Sequence, residues 1–166
     1  MTYKIGEIPA ERRWEITSKA LTGTIVVYGE ALRSAIGNEK YIEFLKNLWG
    51  KAGENAKQFA ESIGVSVENA QGIAEASKIF ASISMGPELE YEDLEVGEDK
   101  YVGRTTKCPW HERHKEQGVS EIKCNSGHQS WGECVTGNLN PKFSFNLTKS
   151  IPAGDEYCEY VIERKS

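Results

Sequence analysis

Apolar residues recur at three- and four-residue steps through the first half of the chain, the period of a helix face. In "PAERRWEITSKALTGTIVVYGEALRSAIG" the stripe runs through Trp14, Ile16 or Thr17, Leu21, Ile25, Tyr28 and Leu32. Pro9 lies near its first turn and Gly37 stands where a C′ glycine ends a helix. Asn38 is expected to cap a second helix with Tyr41, Ile42, Leu45, Leu48, Trp49, Ala52, Ala56, Phe59, Ala60 and Ile63 on its buried side. Gly50 and Gly53 weaken its middle by roughly 1 kcal/mol each, so a kink or break is expected there. Ser66 reads as the N-cap of a third helix, with Val67, Ala70, Ile73, Ala74, Ile79 and Ile83 as its stripe.

The period then changes to two. Leu89 and Tyr91 alternate with Glu88, Glu90 and Glu92, and "KYVGRTTKC" offers a partner strand. The acidic run from Glu88 to Asp99 reads as a solvated strand face or hairpin tip, with a cation-binding role as the alternative. "PWHERHKEQG" has Pro109 for a first helical position and Gly118 for a stop, so a short helix is expected. "GHQSWGECVTG" is expected to form another. Phe143, Phe145 and Leu147 alternate with polar residues, as do Cys158, Tyr160 and Ile162 with their neighbours, giving two half-buried strands. Long helices followed by strands predict an α+β fold, with an N-terminal helical layer packed on a C-terminal antiparallel sheet and short helices between strands. One domain over 1–166 is expected, mainly helical through 86.

Composition narrows the class. Apolar residues make up 39% and charged residues 27%, as in globular proteins. A net charge of -5 without a basic block argues against a nucleic-acid partner. The longest apolar run, "TIVVY" at 24–28, is too short to cross a bilayer, so no membrane partner is expected. The N-terminus lacks an apolar signal region, which predicts a cytoplasmic location and reduced thiols. Small residues Ala20, Gly23 and Gly29 on successive turns could pack a second copy, so a homodimer is a further expectation.

All three histidines and three of the four cysteines lie between Cys108 and Cys134. His111 and His114 share a helix face, with Cys108 at the cap position, where a helix N-terminus favours the thiolate. Cys124 and His128 are four apart, and Cys158 sits on the inward side of its strand. Thiolate and imidazole are zinc's preferred ligands, so Cys108, His111, Cys124 and Cys158 form a candidate zinc or iron set, with His114, Cys134 and Glu133 as further candidates. No CxxC pair is present, and the same residues are compatible with a metal-free reactive thiol or with inert buried cysteines. Trp110 and Trp131 could line a pocket.

"TKCPWHERHKEQG" followed by "NLNPKFSFNLTKSIPAGDEYCEYVIER" resembles the L-2-amino-thiazoline-4-carboxylate hydrolases. The matching positions are Cys108, Pro109, His111, Cys124, Asn140, Pro141, Gly154, Asp155 and Cys158. The tail "IPAGDEYCEYVI" is also similar to the end of 4-vinyl reductase domains, which bind small molecules and in some cases zinc. Two departures stand out. Ser150 and Ile151 occupy the place of a further cysteine of the second group, and "CNSGHQ" lacks the acidic residue that hydrolase relatives carry, leaving His128 or Glu133 to replace it. The resemblance implies a hydrolase opening a small cyclic amidine or thiazoline-type ring. Water would add at the C=N carbon, activated by zinc, or Cys108, activated by the helix end and His111, would attack in its place, with His128 or His114 carrying the proton. The alternative implied by the tail is a small-molecule-binding or sensory module with a structural metal site.

Overall fold

A computed structural model describes residues 4–119 and 124–166. Among them, four helices lead: α1 (Ala10–Ile36), α2 (Asn38–Ala52), α3 (Ala56–Ile63) and α4 (Ala70–Met85). A hairpin of β1 (Glu90–Val96) and β2 (Lys100–Lys107) follows, then α5 (Pro109–Glu116), α6 (Cys124–Leu139), β3 (Phe143–Lys149) and β4 (Cys158–Arg164). The strands form an antiparallel sheet in the order β1-β2-β4-β3. Tyr101, Phe143, Phe145, Tyr160 and Ile162 fill its covered face, as period-two alternation requires. Against them α4 lays Ala70, Ile73, Ala74 and Ala76, and α6 lays Val135 and Leu139. The outer helices α1 and α2 pack in turn on α4, α5 and α6. The fold is α+β, a helical layer on one face of an antiparallel sheet.

The acidic hairpin is a set of cross-strand pairs. Arg104 donates to Glu92 at 2.9 Å, Lys100 to Glu95 at 2.8 Å, and Lys78 of α4 reaches Asp93 at 2.7 Å. This charged edge strand suits solvent and resists pairing with a second sheet.

Three helix expectations are corrected. The buried stripe of α1 is Ser18, Thr22 and Val26, whereas Ile16, Leu21 and Tyr28 face outward. Ser18 and Thr22 donate back to the carbonyls of Trp14 and Ser18, each at 2.8 Å, so their hydroxyls are satisfied within their own helix. Being small, they admit close neighbours: Gly86 lies against Ser18. The glycines expected to meet a second copy are used within the chain, Gly23 against the Arg113 stem and Gly29 against the Tyr41 hydroxyl.

The N-cap of α4 is Asn69, not Ser66. Its Oδ1 accepts from the Gly72 N–H at 2.8 Å, and Gly72 leaves room for the Ser66 carbonyl to rest on the helix. The expected break after Gly50 falls between α2 and α3. That turn carries Gly53 against the Val135 backbone, which lets α2 and α3 straddle α6. Helix α6 is longer than expected, and within the described residues it includes Cys124.

Candidate functional site

A cavity of about 300 Å³ lies between the sheet and the helices. Its walls are mainly apolar and aromatic. From α2 come Leu45 and Trp49, from α4 Phe80 and Ala81, from the sheet Phe145 and Tyr160, and from α6 His128 and Trp131. Trp49 meets Trp110 edge to face at 5.5 Å, and Phe80 stacks near Trp131 at 6.4 Å. The glycines of α6 make this closure possible. A side chain at Gly127 would collide with the Trp49 ring, and one at Gly132 with the Phe145 ring. Both rings therefore rest on bare helix backbone.

Cys108, His114, Cys124 and His128 all line this cavity. Cys108 occupies the N-cap of α5, with backbone N–H groups of Trp110 and His111 close enough to favour a thiolate. Burial outweighs them and pushes the thiol up to about 11, reversing the expectation of a lowered value. Burial also raises Cys124, and the nearby Cys108 and Cys158 thiols raise it further. His128 is held down to about 4 by burial alone, so its imidazole is neutral at physiological pH. His114 Nδ1 lies 2.6 Å from the Trp110 carbonyl, one turn back on its own helix.

The remaining candidates sit apart from the wall. His111 does not line the cavity, and its Nδ1 is a sealed nitrogen without a partner. Cys158 is buried on β4, where its sulfur accepts from the Ile151 N–H at 3.4 Å. Cys134 accepts from Asn138 Nδ2 at 3.2 Å on the far side of α6, and exposed Glu133 accepts from Gln129 at 2.8 Å. Among the described residues no three His, Cys, Asp or Glu side chains converge as a group able to hold a metal ion. In this arrangement Cys108, His111, Cys124 and Cys158 do not form a ligand set.

Charge is scarce around the cavity. Lys78 reaches the wall, but its amine is engaged by Asp93, which also accepts from the Tyr101 hydroxyl. Tyr101 interacts in turn with Tyr160, whose hydroxyl is pushed up to about 12 by burial.

The family model described as L-2-amino-thiazoline-4-carboxylic acid hydrolase matches residues 15–162. The chain belongs to this family. No curated protein matches it. Among solved structures, this member of the hydrolase family is similar to the phenol-responsive sensory domain of the transcription activator PoxR with phenol. The identity is 12% and the TM-score 0.65, covering 86% of this chain and 74% of the other. It is also similar to a trafficking protein particle complex subunit 3 from Naegleria fowleri covalently bound to palmitic acid. That identity is 13% and the TM-score 0.63, covering 91% of this chain and 96% of the other. These likenesses are of fold. Of the residues singled out in the sequence, Trp110, Trp131, Cys108, Cys124 and His128 line the cavity, which Trp49, Tyr91 and Tyr160 also line without having been expected there. A signal for Trp49 was present in Gly127, a helix-interior glycine whose missing side chain leaves room for that ring.

Proposed function

We propose that this member of the thiazoline-hydrolase family binds a small, uncharged, mainly apolar molecule in the central cavity. The carrying observation is the wall itself: aromatic rings, neutral thiols and a neutral imidazole, with the lining lysine already paired to Asp93. A carboxylate entering there would lose its water without gaining a cation, at a cost of several kcal/mol. The two fold neighbours, one described with phenol and the other with palmitic acid, support a ligand-holding use of this architecture.

A second reading, ring-opening hydrolysis of a cyclic amidine, is favoured by family membership and by Cys108 and His128 sharing one wall. The raised thiol disfavours Cys108 as a ready nucleophile, which leaves water as the attacking group and the neutral His128 as the proton acceptor. Zinc or iron would require Cys108, His111, Cys124 and Cys158 to move together, and elemental analysis of tag-free protein reads that directly. Calorimetric titration with neutral aromatics and with a thiazoline carboxylate, plus a thiol-release assay on the latter, separates the two readings. Binding of the neutral molecules without turnover supports the first. Turnover of the carboxylate, lost in Cys108→Ser or His128→Phe, would overturn it.

A further inference from the structure

We infer that His128 is the polar anchor of the cavity and selects a flat, neutral ligand carrying a single hydroxyl or N–H group. This rests on the binding reading above and adds to it the residue and the chemical feature that decide selectivity.

The imidazole stands in an aromatic enclosure, with its ring centre 5.9 Å from Phe145 and 6.4 Å from both Trp131 and Tyr160. Those contacts hold the ring by its faces and edges. Among the described residues His128 makes no hydrogen bond, neither of its nitrogens is among the sealed unpartnered polar atoms, and it lines the cavity. A neutral imidazole offers one N–H donor and one lone pair. A hydroxyl can satisfy either.

Four other polar side chains on the wall are already engaged, while of the further lining hydroxyls Tyr41 and Thr105 stand on other elements than the rings around His128, and Thr136 lies further along α6. Ser77 donates to the Ile73 carbonyl at 2.7 Å, Ser84 to the Phe80 carbonyl at 3.4 Å and Lys78 to Asp93 at 2.7 Å. His114 is tied to the Trp110 carbonyl at 2.6 Å. A pure hydrocarbon would strip water from the His128 nitrogens and return nothing, whereas an alcohol replaces that water directly. The flat shape follows from the rings that frame the imidazole, which favour offset stacking with an aromatic guest.

The isosteric pair 4-methylphenol and 1,4-dimethylbenzene, titrated calorimetrically into the full chain, tests this. Wild type is expected to bind the phenol at least about tenfold more tightly than the hydrocarbon. His128→Phe keeps an aromatic ring and is expected to bind both alike. His128→Gln retains a donor and an acceptor and restores part of the preference, and it stands in if the phenylalanine variant fails to fold. Equal binding of both probes by wild type, or a preference that survives in His128→Phe, would overturn the anchor while leaving a binding cavity in place. No binding of either probe by folded wild type would remove the cavity reading and the anchor together.

Discussion

Cys108 stands where two influences meet. Backbone N–H groups at the start of α5 draw the thiol toward its anion, and the apolar surround of the cavity opposes this. With burial prevailing, alkylation of Cys108 by iodoacetamide should be slow at pH 8 and rise roughly tenfold per pH unit towards pH 11. Mass-spectrometric rates over that range check it; a plateau reached by pH 7 would mean a stabilised thiolate. His128 has the complementary behaviour. Its folded value of about 4 lies below the ordinary 6.5, so between those limits the unfolded chain takes up a proton that the folded chain refuses. Stability contributed by the neutral ring is present above pH 6.5 and declines as pH falls to 4, by up to about 3 kcal/mol. Urea unfolding of wild type at pH 7 and 4.5 should show this decline, and His128→Phe should flatten it. At this scale the sequence marked the right residue types, because thiols and imidazoles are few. It did not reveal their protonation, because that depends on how completely α2, α4 and the sheet enclose them.

Among the elements, the strands were legible and one helix was misleading. Phe143, Phe145, Cys158, Tyr160 and Ile162 alternate inward as their spacing predicts, because a strand with one covered face has only one workable register. In α1 the apolar stripe predicts the wrong face. Ser18 and Thr22 satisfy their hydroxyls locally, and the gain from close helix contact outweighs the exposure of Ile16 and Tyr28. The cap of α4 turned on a detail of the same kind, the room above Gly72. Asn69→Ala should cost about 1 kcal/mol of stability, while Ser66→Ala should change little. Gly132→Ala is expected to be more damaging, about 1–3 kcal/mol, because the Phe145 ring must leave its seat on α6. Thermal or urea unfolding ranks the three variants, and a neutral Gly132→Ala would show that the ring has somewhere else to go.

For the molecule as a whole, the α+β layering follows from the order of periods along the chain, and the cavity does not. It arises where α1, α2, α4, α5 and α6 meet the sheet, and no local pattern records that Trp49 of α2 and Tyr160 of β4 face a common space. A guest held there binds the folded chain alone. At a hundred times its dissociation constant it should stabilise the fold by about 2.7 kcal/mol, raising the melting temperature by several degrees. Differential scanning calorimetry with and without 4-methylphenol reads this shift, and an unchanged melting point would argue against a bound guest.

Phe145, Tyr160 and Ile162 belong at once to the core and to the wall of the cavity. Recognition and folding therefore draw on the same side chains. An empty chain opens more often than a filled one, and in a cell the opened form is what proteases remove. If the cavity holds a guest as proposed, the standing amount of this protein would follow the supply of that guest, and a mutation in the wall would lower the amount of protein as well as its binding.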